Sequence, residues 1–340
     1  MKTHLFGQTL DDLKNIAKTL GLPAFTAKQM ADWLYKKKIS SIDEMTNLSK
    51  KARTQLAQEY DVGLLPPQTV QTSEDGTKKY LFPTHQGQFI ETAMIPFKER
   101  KTVCVSSQVG CKFKCTFCAT GQQGFQANLS CNEILNQIRS LPEHDSITNL
   151  VYMGMGEPFD NLDAVLKSLA ILSADWGYAM SPRRITVSSI GLHPEIEQFL
   201  DESEAHLAIS LHSPFPDERH TLMPVQNSFP LETTLATLRK YNWHGQRRIS
   251  FEYIVFGDLN DTLRHAKELV RLLAGIPCRV NLIRFHPTPE AHFKAPSETT
   301  LQTFKDHLNH HGILTTIRAS RGLDIDAACG LLSTKKMIRD

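Results

Sequence analysis

A strand-like run, Thr102-Val-Cys-Val-Ser-Ser107, is followed almost at once by the loop Cys111-Lys-Phe-Lys-Cys115-Thr-Phe-Cys118. Three thiols in a C-x3-C-x2-C spacing can hold one metal centre, and soft sulfur ligands favour an iron–sulfur cluster or zinc over hard cations. A structural zinc site needs a fourth ligand, and no CxxC or HxxxH pair follows nearby, although His144 could serve. A cubane cluster on Cys111, Cys115 and Cys118 leaves one iron open for substrate chemistry.

Strand-like and helical runs alternate along the chain from about residue 101. Seven candidate strands cover 102–107, 149–155, 184–190, 206–212, 249–256, 279–285 and 314–319. Candidate helices between them cover 132–140, 162–173, 232–241, 261–273 and 301–310. This alternation predicts an α/β fold, here a partial (βα)6 barrel of the TIM type, whose reactive residues sit at the carboxyl ends of the strands.

The N-terminal part of the chain follows a different pattern. Residues 1–62 are predicted to form a small helical domain, since apolar residues recur at helical spacing from Leu10 to Leu20 and two further helical runs follow. Residues 63–98 change to short alternating runs, which indicate a β-rich connecting segment. Residues 99–340 form the predicted catalytic domain. Basic residues on the polar faces of the helical domain are Lys36, Lys37, Lys38, Lys50, Lys51 and Arg53.

The composition of the chain limits the class of protein to which it can belong. The 340 residues, 41% of them hydrophobic, suffice for a large buried core. No window approaches the roughly 20 apolar residues of a membrane span, so a soluble, cytoplasmic protein without a membrane partner is expected. Seven cysteines in a reducing compartment favour metal-binding or catalytic thiols over a disulfide framework. The formal net charge of +2 does not by itself demand a polyanionic partner.

Glycine and polar residues mark several of the other candidate strands. The second strand ends in Met153-Gly-Met-Gly156-Glu157-Pro158, where glycine lets the backbone approach a ligand and the carboxylate can receive a cation. Ser188 lies at the end of the third strand, Ser210-Leu211-His212 ends the fourth, and Asn281 lies in the sixth. Each of these residues alone is weak evidence for a ligand site, but together they would line one end of the barrel.

Together these motifs resemble the RlmN/Cfr family of radical S-adenosylmethionine (SAM) RNA adenine methyltransferases, and the resemblance covers nearly the whole chain. Cys104 and the segment Asp324-Ile-Asp-Ala-Ala-Cys329-Gly330 distinguish this class from other radical SAM enzymes. The resemblance implies a [4Fe-4S] cluster on the three loop cysteines and two SAM molecules per turnover. The SAM contacts it implies are Gly156, Glu157, Ser188, Ser210, Leu211, His212 and Asn281.

The resemblance also implies a reaction path. Cys329 accepts a methyl group from one SAM, and a second SAM yields the 5'-deoxyadenosyl radical that takes hydrogen from this methyl group. The carbon radical adds to adenine, and a disulfide between Cys329 and Cys104 releases the methylated base, with Glu91 as the proton acceptor. The expected substrate is an adenosine in the peptidyl transferase loop of 23S rRNA, with a tRNA adenosine as a second target. Arg183-Arg184 and Arg247-Arg248 join the basic helices as expected phosphate contacts, and flavodoxin or ferredoxin is the expected electron donor.

Three questions stay open at this point. Stretches such as Ser181-Pro-Arg-Arg184 look closer to Cfr, which methylates carbon 8, whereas Met155-Gly-Glu-Pro158 looks closer to RlmN, which methylates carbon 2, so an intermediate subgroup is one interpretation. A radical SAM enzyme acting on a small molecule is an alternative in which Cys104 and Cys329 are dispensable. A non-catalytic RNA-binding protein with a structural zinc is a second alternative.

Overall fold

The N-terminal residues form a small helical domain closed by two short parallel strands. The structure is a computed structural model that describes residues 2–243, 245, 247–286 and 292–334. Helix α1 begins with a capping box, because the Thr9 hydroxyl accepts from the backbone amide of Asp12 and the Asp12 carboxylate accepts from that of Thr9. The elements are β1 (Thr3–His4), α1 (Leu10–Thr19), α2 (Thr26–Ala31), α3 (Lys50–Glu59) and β2 (Tyr60–Asp61).

The connecting segment is part of the main sheet and not a separate small sheet. Its strands are β3 (Thr69–Thr72), β4 (Lys78–Pro83) and β5 (Phe89–Phe97), which pair antiparallel in that order. β5 then pairs antiparallel with β6 (Arg100–Cys104). The turn between β5 and β6 is too short for a crossover helix, so these strands can only be antiparallel neighbours.

Seven parallel strands form the rest of this ten-stranded sheet, in the order β14-β13-β12-β11-β10-β9-β6. They are β6, β9 (Asn149–Tyr152), β10 (Ile185–Ser189), β11 (His206–Ser210), β12 (Ile249–Val255), β13 (Cys278–Arg284) and β14 (Leu314–Arg318). β7 (Gln108–Val109) and β8 (Ala127–Asn128) pair with each other outside the sheet. Six strand–helix units followed by a seventh strand confirm the predicted partial barrel.

Helices connect the parallel strands. They are α4 (Ala119–Gln123), α5 (Cys131–Arg139), α6 (Leu162–Ser173), α7 (Glu195–Glu202), α8 (Pro216–Leu222), α9 (Leu231–Leu238), α10 (Leu263–Leu273) and α11 (Glu298–His310). The buried face of α10 shows why the longer helices form: Ala266, Leu269 and Leu273 recur every three or four residues and are almost fully buried. None of the described helices is long and apolar enough to cross a membrane.

The helical domain packs on the barrel through α5. The side-chain amide of Asn132 donates to the carbonyl oxygens of Phe6, at 2.9 Å, and Gly63, at 3.0 Å. Gly7 has a left-handed φ of +91°, and a Cβ atom at this position would lie 2.7 Å from the backbone nitrogen of Asn132. This close approach fixes the helical domain against α5.

Candidate active site

One cavity of about 150 Å³ opens where the parallel strands end. The residues that line it come from six parallel strands, β9 to β14, or the loops after them, from the cysteine loop and from the C-terminal segment. Its predicted site residues are Cys111, Cys115, Cys118, Gly156, Glu157, Ser188, Ser210, His212 and Cys329. The carboxyl ends of the strands therefore bring together residues more than two hundred positions apart in the chain.

The cysteine loop is closed at its base by the β7–β8 pair. Gly110 adopts a left-handed φ of +73°, and a Cβ atom there would collide with the carbonyl oxygen of Gly124. At the far side, the Thr116 amide donates to the carbonyl oxygen of Leu222 on α8, at 3.0 Å. Cys118 directly precedes α4, at its N-cap position. The loop is thus held on both sides while its three sulfur-bearing side chains face one cavity.

The three thiols are soft ligands that suit a metal centre at this cavity. Burial raises the pKa of each thiol, to about 12 for Cys111. Buried thiols of this kind ionise far more readily beside a cation, such as a metal ion or the iron of a cluster.

Gly156 and Glu157 form a tight turn beside this loop. Gly156 has a φ of +96°, and a Cβ atom there would lie 2.5 Å from Cβ of Gln108. Burial raises the pKa of Glu157 to about 7. Its carboxylate accepts from the backbone amides of Phe159 and Ile190, each at 3.1 Å. These bonds orient the carboxylate on the cavity wall, where it can receive a cationic group.

His212 contributes a neutral imidazole to the cavity. Its Nδ1 accepts from the backbone amide of Ile254 at 3.0 Å, which leaves the proton on Nε2. Burial, and then the charge of Arg219, lower the pKa of His212 to about 3. Its ring meets the edge of Phe117 at a centroid distance of 4.9 Å. His212 can therefore act as a hydrogen-bond donor without carrying charge.

Two predicted SAM contacts do not line the cavity. The Leu211 side chain is fully buried in the apolar core. The Asn281 amide instead donates to Oε1 of Glu252, at 2.8 Å, and its oxygen accepts from the Thr316 hydroxyl, at 2.8 Å. Their role in SAM binding stays a prediction.

Cys329 and Cys104 lie near each other at the cavity although more than two hundred residues separate them in the chain. Cys329 is exposed and lines the cavity, whereas Cys104 is buried at the end of β6 against Ala93 and Ala327. Burial, and then the nearby Cys329, raise the pKa of Cys104 to about 12. Both are free thiols. The structure thus places the two cysteines as neighbours, one open to ligands and one behind it.

Glu91 lies behind the C-terminal segment and outside the cavity lining. Its side chain is 1% exposed, and Oε1 lies 3.1 Å from Nζ of Lys79. Oε2 accepts from the backbone amide of Ser333 at 2.9 Å. Burial raises the pKa of Glu91, although Lys79 opposes this effect. Its role as proton acceptor stays a prediction.

Three charged residues at this site were not predicted from the sequence. Glu252 and Arg318 line the cavity, and the Arg219 side chain is 1% exposed beneath it. Arg219 donates to the carbonyl oxygens of Ile190, Ser210 and Leu211, and so fixes the ends of two strands. A charged residue inside the apolar run Ile249-Ser-Phe-Glu-Tyr-Ile-Val255 was the available signal for Glu252.

The chain is similar to known proteins over nearly its whole length. Residues 105–273 match the Radical SAM superfamily, and residues 3–62 match the ribosomal RNA large subunit methyltransferase N-terminal domain. A probable dual-specificity RNA methyltransferase RlmN from Parabacteroides distasonis is 56% identical, over 99% of this chain and 98% of its own. A dual-specificity RNA methyltransferase RlmN from Syntrophus aciditrophicus is 43% identical, over 99% of this chain and 98% of its own.

A solved structure is similar over nearly the whole fold. The crystal structure of a radical SAM methyltransferase from Sphaerobacter thermophilus superposes with a TM-score of 0.91 and 40% identity, and the match covers 97% of this chain and 99% of that one. The curated relatives are RlmN proteins, so the interpretation as an intermediate, Cfr-like subgroup was wrong. The chain belongs to the RlmN family of radical SAM RNA methyltransferases.

Proposed function

We propose that this protein methylates carbon 2 of adenine in RNA, in the peptidyl transferase loop of 23S rRNA and in tRNA, by way of methylated Cys329. The observation that carries the proposal is that Cys329 lines the same cavity as the three loop cysteines, with Cys104 directly behind it. An enzyme that acted on a small molecule would not need this second pair of thiols. The RlmN relatives support carbon 2 over carbon 8.

The three loop cysteines fit a [4Fe-4S] cluster with one open iron, and Gly156, Glu157, Ser188, Ser210 and His212 surround the space beside it. With SAM bound, the reduced cluster would supply the 5'-deoxyadenosyl radical. One electron must enter for each cleavage, which calls for a donor such as flavodoxin or ferredoxin. Glu157 is the proposed partner of the SAM ammonium group, and the proposal is supported by a carboxylate that is buried and oriented by two backbone amides.

Cys329 and Cys104 have different roles in the proposed methyl transfer. An adenine ring carbon bearing hydrogen is too weak a nucleophile to attack SAM, whereas a sulfur lone pair on Cys329 can, which splits one hard step into two. Cys329 is exposed and can present its methyl group to a base flipped out of its stack. Cys104 is buried and close, so that its sulfur can bond to that of Cys329 while the bond between the Cys329 sulfur and the transferred carbon breaks and the methylated base leaves. The Cys104 proton would go to solvent, and the electron left over would return to the cluster.

A direct test combines iron content with RNA product analysis. Protein purified without oxygen should be brown, and Cys115→Ala should lose its iron. RNA from cells lacking the gene should lose 2-methyladenosine, and Cys329→Ala should fail to restore it. Cys278→Ala is the matched control, because Cys278 is a half-buried thiol on β13 away from the cavity. Product from Cys329→Ala, 8-methyladenosine in place of 2-methyladenosine, or tightly bound zinc in a colourless protein would each contradict the proposal.

A further inference from the structure

Arg219 is a buried arginine on α8, between the cysteine loop and the ends of two strands. Its side chain is 1% exposed. The guanidinium donates to the carbonyl oxygens of Ile190, Ser210 and Leu211, at 3.0 to 3.2 Å, and to the side-chain oxygen of Gln226. All of these partners are uncharged. Burial lowers the pKa of Arg219 to about 10, so the guanidinium still carries its positive charge at neutral pH.

This buried charge has no acidic partner in direct contact. Arg219 forms no ion pair within the part of the chain that the structure describes. Its link to an acidic residue runs through Gln226, whose amide donates at 3.3 Å to the carboxylate of Glu232, and Glu232 is exposed to solvent. Arg318 differs in this respect, because it pairs directly with Glu252. Neutral oxygen atoms replace part of the hydration that a buried ion loses, but they do not balance its charge.

The place of Arg219 in the fold puts this charge beside the cysteine loop. Leu222 lies three residues further along α8, so its side of the helix is next to that of Arg219. The carbonyl oxygen of Leu222 accepts from both the amide, at 3.0 Å, and the hydroxyl, at 3.2 Å, of Thr116, which directly follows Cys115. On its other side, Arg219 holds the carbonyl oxygens that lead into His212 on the cavity wall. Arg219 therefore lies between the cysteine loop and the end of β11.

We infer that Arg219 is the buried counter-charge of the iron–sulfur cluster and raises its reduction potential. The inference rests on the proposed function, which requires a [4Fe-4S] cluster on Cys111, Cys115 and Cys118. Three thiolates outweigh the positive charge of the oxidised cluster core, so the assembled centre is an anion, and the one electron that it accepts from the donor makes it more negative. A fixed positive charge stabilises the reduced form more than the oxidised form. Arg219 thus makes the cluster easier for the electron donor to reduce.

The test measures the reduction potential of the cluster directly, without SAM or RNA. Full-length protein with its cluster is titrated anaerobically with dithionite and redox mediators, and EPR spectroscopy follows the reduced cluster. In Arg219→Met, the ratio of reduced to oxidised cluster at a fixed potential should fall about tenfold, because a unit charge ~10 Å from the added electron contributes roughly this factor at an effective dielectric constant of ~20. A tenfold change corresponds to about 59 mV for one electron. Arg219→Lys keeps the charge and should stay within about twofold of the unaltered protein.

A second variant keeps Arg219 in place and neutralises its charge, because Arg219→Met also removes four hydrogen bonds. The double variant Gln226→Glu/Glu232→Gln moves one carboxylate from the exposed end of this hydrogen-bond chain to the guanidinium. It preserves both the net charge of the protein and the hydrogen-bond partners. The ratio of reduced to oxidised cluster should again fall, by about threefold or more, because the added carboxylate cancels the field of Arg219.

Arg247→Met is the matched control. Arg247 is also a partly buried arginine that donates to backbone carbonyl oxygens, but it lies at the amino end of β12, opposite the cavity. Its loss should leave the potential unchanged. A normal potential in the double variant, a fall in Arg219→Lys as large as in Arg219→Met, or an equal fall in Arg247→Met would overturn the inference. Unaltered protein without a reducible cluster would instead overturn the proposed function.

Discussion

His206 begins β11 as a half-buried imidazole among arginines. Its Nδ1 accepts from the backbone amide of Arg248 at 3.1 Å. Burial, and then the charges of Arg248, Arg247, Arg279 and Arg183, lower the pKa of His206 to about 4. The unfolded chain has the ordinary histidine pKa of about 6.5. The unfolded state therefore binds more protons between these values, and the contribution of His206 to stability is complete above pH 6.5 and is lost as the pH falls towards 4.

We expect His206→Asn to flatten this pH dependence. The asparagine oxygen can accept the same backbone hydrogen bond but does not titrate. Between pH 7.5 and pH 5 the unaltered protein should lose about 1 kcal/mol more free energy of unfolding than the variant. This figure halves the effect of the lowered His206 pKa, because the side chain is partly exposed to solvent. Urea unfolding at the two pH values measures the difference. Equal losses in both proteins would show that His206 does not carry the effect.

Sequence reasoning reached the residues whose chemistry shows in their type and spacing. The three loop cysteines, Glu157 and His212 lie at one cavity as predicted, because a loop or a strand end places them there. Arg318 and the orientation of Asn281 could not be found in this way, because both depend on the register of β12, β13 and β14, which a helix separates in each case. Strand order and register are set by packing across the whole sheet, which short-range patterns do not contain.

At the scale of elements, the C-terminal segment that carries Cys329 is held at both ends. At its start, the Asp324 carboxylate accepts from the Ser73 hydroxyl, at 2.5 Å, and from the Glu74 amide, at 3.2 Å, in the β3–β4 turn. Beyond Cys329, the Ala119 amide donates to the carbonyl oxygen of Gly330, at 2.8 Å, at the first turn of α4. The segment thus links the antiparallel edge of the sheet to the helix that follows the cysteine loop.

Gly322 is the position where this segment is most sensitive to a single methyl group. Its φ is +63°, and a Cβ atom would lie 2.8 Å from Cβ of Ala327 and 2.9 Å from Cγ2 of Thr77. Gly322→Ala should therefore push the segment away from the turn and slow methylation of Cys329 by about tenfold or more, since misplacement of about 1 Å can cost a hundredfold. The rate is measured by adding methyl-deuterated SAM to the protein without RNA and following the label on Cys329 by mass spectrometry.

Gly312 provides a control that distinguishes displacement of the C-terminal segment from backbone strain. Gly312 also has a left-handed φ, of +79°, but a Cβ atom there meets nothing within 4 Å. Gly312→Ala should cost about 1 kcal/mol of stability through strain alone and leave the methylation rate of Cys329 unchanged. If both variants slowed methylation equally, general destabilisation would explain the loss and the clash at Gly322 would not matter.

The periodicity of the sequence located the long elements well and the short ones poorly. All seven predicted parallel strands form, and helix α6 spans Leu162–Ser173 as predicted. The short helices α7 and α8 were not predicted, because two turns give too few apolar repeats to show a period. The antiparallel strands β3 to β5 lie in the segment predicted to be β-rich, but their union with the parallel sheet depends on β5 pairing with β6.

At the scale of the whole molecule, the structure divides the basic residues expected to contact RNA into two groups. Lys37 pairs with Asp32 and covers the Trp33 ring, and Lys38 pairs with Asp145. Arg247 donates to four backbone carbonyl oxygens, so it stabilises the fold. Lys50 and Lys51, by contrast, lie exposed on one face of α3 without an ion pair to any described residue. These two lysines are the better candidates for phosphate contacts in the helical domain.

The double variant Lys50→Gln/Lys51→Gln should weaken RNA binding and leave the chemistry at Cys329 intact. Each phosphate contact adds about 0.7 to 0.9 to the slope of log affinity against log salt, so the slope should fall by about 1.5. Lys14→Gln/Lys18→Gln on α1 removes the same charge from another exposed helix and controls for net charge. Filter binding of the RNA at several salt concentrations measures the slopes, and deuterium labelling without RNA checks Cys329. An equal change in slope for both pairs would mean that overall charge, and not the face of α3, attracts the RNA; slower labelling would mean that α3 supports the barrel.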